Sequence, residues 1–134
     1  ALDLRTGATI WTAREAAVAP VWRVGGWVFL VPDQNRLIRL DAASGNPVWS
    51  VELPHYRPVR RERNRSTIFA QHGPVLAGGR LWVASNDGAL RGFDPVSGAR
   101  VTELAVPGGA ASAPVVSGQT MYVLGRTGTL HAFR

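Results

Sequence analysis

The sequence has no cysteine and no lysine, and only one methionine. Without cysteine there is no disulfide, no thiolate nucleophile and no thiolate metal ligand. The same absence suits a reducing or an oxidising compartment equally. No run of about 18 apolar residues occurs, so no helical membrane span is encoded. No signal-peptide pattern is visible in the first residues. No 3.6-residue apolar period competes with the short alternating runs described below, which argues against a helical protein. Acidic residues are few, 9 against 15 basic ones, and every basic residue is arginine. Five of these (Arg57, Arg60, Arg61, Arg63 and Arg65) fall within RPVRRERNR and, with Glu62 subtracted, supply +4 of the formal +6. One stretch therefore makes the isoelectric point of about 11.4.

With 46% hydrophobic residues in 134, the chain is long enough and apolar enough to bury a core. What fills it is a repeat. VGGWVFLVPDQNRLIRLDAASGNPVW (24–49), AGGRLWVASNDGALRGFDPVSGARVT (77–102) and SGQTMYVLGRTGTLHAFR (117–134) are copies of one phrase. ALDLRTGATIW (1–11) is the tail of a fourth. Pro74 and Pro114, Gly78 and Gly118, Gly88 and Gly128, Leu90 and Leu130, and Phe93 and Phe133 are each 40 residues apart.

Alternating runs such as LWVA and MYVL read as strands, and NDG and RTG between them read as tight turns. A second turn, D-x-x-[ST]-G, recurs at Asp3–Gly7, Asp41–Gly45 and Asp94–Gly98. In it the carboxylate can accept hydrogen bonds from amides two or more residues on, and glycine closes the turn. Four short strands per ~40 residues predict an all-β fold, a β-propeller segment of four-stranded antiparallel blades. The strands are expected at 18–24, 26–31, 36–41 and 47–52 in one blade, and at 73–77, 80–85, 89–94 and 99–105 in the next. The division is a partial blade 1–17, a blade 18–53, a basic insert loop 54–71, a blade 72–106 and a partial last blade 110–134. Two complete and two partial blades read as a piece of a larger propeller. Val28, Leu30, Leu81, Val83, Met121 and Val123 are expected to face the core between sheets. Their expected partners are Leu37, Leu90 and Leu130, with Leu40, Phe93 and Phe133 nearby.

The phrase A-L-D-x-x-[TS]-G-x-x-x-W, at Ala1–Trp11 and nearly again at Leu40–Trp49, resembles the PQQ-like propeller repeat. In that family the tryptophan docks one blade on the turn of its neighbour, which would make Trp11 and Trp49 structural; Thr102 stands at this place in the next copy. The order of blades, the DQNR stretch and the closing PVVSGQTMYVLGRTGTLHAFR resemble the last third of the BamB-like lipoproteins of outer-membrane β-barrel assembly. That resemblance implies an eight-bladed, non-enzymatic scaffold on the periplasmic side of the bacterial outer membrane. Its partners would be BamA-like periplasmic domains, and membrane attachment would run through a lipid anchor outside this segment. The family's main partner loops lie in earlier blades, so no functional residue is carried over. The alternative is a fragment of a PQQ-dependent quinoprotein oxidoreductase. That class needs a catalytic aspartate, an oxygen-ligated calcium site and usually a vicinal disulfide. Here there is no cysteine, and the aspartates are nearly all accounted for by turns.

No catalytic, cofactor or metal site is therefore expected. His55, His72 and His131 have no ligand spacing. The paired glycines precede no helix that would cradle phosphate. The one candidate contact is the insert: Asp3 and Asp41 are 38 residues apart, but Asp41 and Asp94 are 53. Roughly thirteen extra residues, rich in arginine, thus sit between two blades. They read as a solvated loop, or as a contact for an anionic patch on a partner or for lipid phosphate. Nucleic acid is not expected, because no aromatic residues interleave with the arginines. Self-association through exposed sheet edges is expected as well.

Overall fold

In a computed structural model, residues 1–17, 19–57 and 67–134 are described. Among them are eleven strands and no helix: β1 (Trp22–Val24), β2 (Trp27–Leu30), β3 (Arg36–Asp41), β4 (Pro47–Glu52), β5 (Gln71–Ala77), β6 (Arg80–Ser85), β7 (Ala89–Phe93), β8 (Arg100–Ala105), β9 (Val115–Ser117), β10 (Thr120–Leu124) and β11 (Leu130–Phe133). They form three antiparallel meanders, β1-β2-β3-β4, β5-β6-β7-β8 and β9-β10-β11. These are the blades of a propeller.

The copies agree to the level of single hydrogen bonds. Ahead of each first strand, or at its start, a residue pairs with the end of the second strand: Ala17 with Pro32, Gln71 with Ser85, and Ala110 with Gly125. Ala17 thus belongs to the β1–β4 sheet, on the far side of the expected boundary at 17. At the other end of each full blade, the amides of Leu53 and Val106 donate to the carbonyls of Asn35 and Gly88. The outer strand shifts register at the same place in both full sheets, at Arg39/Leu40 and at Gly92/Phe93.

Strand alternation gives every sheet two apolar faces. Phe29, Val31, Leu37 and Leu53 look toward the second sheet and meet Leu81, Val83 and Phe93. Ala84, Leu90 and Val106 look the other way and meet Met121 and Val123 of the third. Val28, Leu30, Ile38 and Leu40 form the opposite face of the first sheet, covered in part by Trp11 and Ala13.

The expected pairing of core residues needs correction here. Val28 and Leu30 lie opposite Leu40 and Ile38 across the β2–β3 ladder. Side chains of cross-strand partners share a face, so Leu37 stands on the other side of the sheet from Val28. Leu90 is likewise on the far face from Leu81 and Val83, and Leu130 is 62% exposed.

Phe93, 2% exposed, fills the first junction from the second sheet. Phe93→Ala should cost about 3–5 kcal/mol in chemical denaturation. Leu130→Ala should cost less than about 1 kcal/mol, because little of that side chain leaves water. Equal costs would mean that the face assignment is wrong.

Candidate functional site

The three D-x-x-[ST]-G segments fold alike. Oδ1 of Asp3 accepts from the amides of Arg5 and Thr6 and from the Thr6 hydroxyl, at 3.0, 2.7 and 2.8 Å. Asp41 does the same with Ala43 and Ser44. Asp94 does so with Val96 and Ser97. Gly7, Gly45 and Gly98 close the loops with φ of 72°, 74° and 75°, a conformation in which a side chain is strained. Hydrogen bonds to the charged form lower all three carboxyls below the ordinary value of 3.8. For Asp3 and Asp41 the hydroxyls of Thr6 and Ser44 act most strongly; for Asp94 the Ser97 amide does.

The turns are also seats. The Trp11 indole lies so close over Gly45 that a Cβ there would collide with it, and its Nε1 donates to the Ala42 carbonyl at 3.0 Å. Trp49 and Val51 press on Gly98 in the same way, at 3.0 and 2.9 Å from where a Cβ would stand. Trp49 also tilts against Phe29, with ring centroids 6.0 Å apart. Beside this contact, Arg39 reaches from β3 to the next blade. Its Nη1 donates to the carbonyls of Pro95 and Val96 at 3.1 and 3.0 Å, while its Cζ sits 3.7 Å from the Trp27 ring centroid.

The arginine-rich insert leaves this framework from a built base. The backbone is paired at its neck: Tyr56 bridges Ile68, the Arg57 amide donates to Thr67, and the Phe69 amide donates to His55. The His55 and Tyr56 rings stack at 4.3 Å. Below the neck, buried Asn35 donates through Nδ2 to the carbonyls of Pro54 and Phe69, at 3.1 and 2.7 Å. Gln71 Nε2 donates to Pro54 at 2.8 Å. Within the segment 54–71 the described residues are 54–57 and 67–71. It ends inside β5 at Gln71 and begins as a paired stem, because the carbonyls at its neck find donors on both sides. Arg57 is exposed on the stem. Arg60, Arg61, Arg63 and Arg65 lie outside the described residues.

Asn35, Gln71 and Arg39 were not among the candidate residues. A signal for Asn35 is present all the same. It occupies the turn position of Gly88 and Gly128, with φ of 50° where they have 100° and 83°. Asparagine tolerates that region and adds a donor that glycine lacks. Among the described residues, no three His, Cys, Asp or Glu side chains converge as metal ligands. The buried ion pair of Arg91 with Asp87, at 2.7 Å, shares its arginine with Glu103 at 3.1 Å.

Blades of this kind, joined by an outer-strand tryptophan seated on a D-x-x-[ST]-G turn, define a PQQ-like β-propeller. The chain belongs to the family described as outer membrane protein assembly factor BamB, whose model matches residues 1–101 and 55–134. It is 31% identical to that factor from Yersinia pestis over 99% of its own length, and 28% identical to the one from Shewanella oneidensis over 96%. It spans 31% and 30% of those relatives' lengths. The crystal structure of BamB from Moraxella catarrhalis superposes with a TM-score of 0.73 at 24% identity. That match covers 98% of this chain and 42% of the other.

Two outcomes follow from this geometry. Asn35→Gly keeps the backbone conformation and deletes both side-chain hydrogen bonds. It should cost about 1–3 kcal/mol, because the Phe69 carbonyl loses its side-chain donor while Pro54 keeps Gln71, and speed amide exchange at Arg57 and Phe69; unchanged exchange would mean that the neck holds without Asn35. The lowered aspartates give stability that is complete above the ordinary value of 3.8 and lost as pH falls through their folded values. In Asp41→Asn and Asp94→Asn, thermal midpoints should therefore fall less steeply than the parent's between about pH 5 and pH 1.

Proposed function

We propose that this chain is a non-enzymatic scaffold segment that takes part in outer-membrane protein assembly on the periplasmic side of the outer membrane. Family membership along the whole chain is the observation that carries this reading, and it favours a scaffold over the quinoprotein oxidoreductase alternative. The partners are protein surfaces of the barrel-assembly machinery, in the first instance BamA-like periplasmic domains. Membrane attachment is assigned to a lipid anchor outside this segment. No cofactor and no nucleic acid enter the function.

Within that scaffold the arginine-rich insert is the contact element for an anionic surface. Its stem, residues 54–57 and 67–71, is fixed to the blades by Asn35 and Gln71. Arginine suits such a contact because its planar fork meets carboxylates in pairs. An exposed cationic contact acts through several weak pairs, and salt screens it.

Binding of the 134-residue chain to the isolated periplasmic domains, titrated at low and high salt, tests both parts. Replacing Arg57, Arg60, Arg61, Arg63 and Arg65 by serine should leave the circular dichroism spectrum unchanged. It should weaken binding roughly tenfold or more at low salt, since five exposed pairs at a few tenths of a kcal/mol each reach about 1.4 kcal/mol. Equal affinity of the serine variant would remove the insert from the contact. No binding by the parent chain would remove the scaffold reading for this segment.

A further inference from the structure

Exposed arginines steer a partner better than they hold it. Each surface pair contributes little and salt screens it, so a contact made of arginines alone is lost as salt rises. The stem below the arginine run carries a second kind of surface. The Arg57 amide donates to the Thr67 carbonyl and the Phe69 amide to the His55 carbonyl, and these bonds bracket one bridge, Tyr56 with Ile68. Bracketed in this way, Tyr56 and Ile68 are a non-hydrogen-bonded pair of an antiparallel ladder. In such a pair the two side chains stand on one face and approach most closely.

Both side chains reach water: Tyr56 is 40% exposed and Ile68 55%. The connection between the second and third sheets treats its apolar residues differently, since Val106 and Ala110 at its ends are fully buried. The insert therefore adds apolar surface outside the core. That surface is also held in place. The His55 ring lies flat against Tyr56, with 4.3 Å between centroids and 2° between planes. Asn35 and Gln71 bond the carbonyls of Pro54 and Phe69 at the foot of the stem. A tyrosine fixed before binding loses little freedom on contact, which makes it an effective anchor. Arg57 beside it is exposed, and four more arginines follow within the next eight residues.

We propose that Tyr56 and Ile68 anchor the contact made by the insert, and that they enter an apolar pocket rimmed by carboxylates on a protein partner. This rests on the reading of the insert as a contact element, and supplies the holding force that exposed arginines lack. Charge complementarity sets the rim. The nine residues RPVRRERNR carry +4, so an acidic surround draws the pair to its pocket where a basic one would repel it. The occupant is a protein because a pair of side chains fixed at one spot matches a fixed pocket. A fluid bilayer offers headgroups to the arginines but no such cavity. The arginines then govern the rate of association, and Tyr56 with Ile68 the rate of dissociation.

Binding kinetics of the 134-residue chain on the isolated BamA-like periplasmic domains, at low and high salt, separate the two roles. Tyr56→Thr and Ile68→Thr place a strand-favouring residue at each position, so amide exchange at Phe69 should match the parent's. Each should dissociate roughly tenfold faster at both salt concentrations, with its association rate unchanged. Ile68→Leu keeps the apolar surface and should dissociate like the parent. The variant with serine at all five arginines should associate more slowly at low salt and dissociate at the parent's rate. Threonine variants that dissociate like the parent would overturn the anchor, as would parent binding that vanishes at high salt. Vesicles of equal parts phosphatidylglycerol and phosphatidylethanolamine that retain the parent but not the threonine variants would overturn the protein partner. A parent chain that binds the domains at neither salt concentration would instead remove the scaffold reading, and the anchor with it.

Discussion

A blade of this chain cannot stand alone, because both faces of its sheet are apolar. Phe29 and Leu37 look one way from the first sheet, Val28 and Leu40 the other. Each face is kept from water only by the next blade, and the largest fully buried side chains, Phe29 and Phe93, sit at such a junction. Everything else in the structure answers to that requirement. Consecutive sheets stack face to face, the first and second even across the long insert, and the outer strand of one blade rests on a turn of the next. Glycine ends that turn because an indole or a valine occupies the space where a side chain would be.

The polar groups that enter the junctions are satisfied in part: among the described residues, Arg39 Nε, Arg91 Nη1 and Trp49 Nε1 are buried without a hydrogen-bond partner. Arg39 is buried between blades, yet its Nη1 finds two carbonyls of the neighbouring turn and its flat face finds Trp27. Arg91 stands where the first sheet has Ile38, and Asp87 and Glu103 accept from it. A buried guanidinium without such partners would be strongly destabilising. Arg39 ties an otherwise apolar interface to one relative placement of its blades, whereas Arg91 is held within its own sheet.

The insert uses the same framework without burdening it. Its residues leave from Pro54 and return at Gln71, and the carbonyls exposed by that excursion are bonded by Asn35 and Gln71. A rigid repeat with one enlarged connection is a common way to place a binding element on a fixed support. Repetition itself carries no function; whatever specificity the chain has must lie where a copy departs from the pattern. Asn35 in place of glycine and the insert that it holds are such a departure.

Strand positions, the turn chemistry and the repeat were legible in the sequence, because each depends on neighbours within a few residues. Alternation shows in LWVA, and the Asp41 and Asp94 turns are closed by their own serines and glycines. Which apolar residues meet was not legible. Leu37 and Val28 are both strongly hydrophobic, and only the β2–β3 register assigns them to opposite faces. The base of the insert was hidden for a related reason: Asn35 lies 34 residues before Phe69, and nothing local to either residue announces the bond. Sequence determines what the nearest residues can satisfy among themselves. The pairing of distant faces and distant polar groups was decided by how whole sheets stack, since that alone sets which groups share the same water-free space.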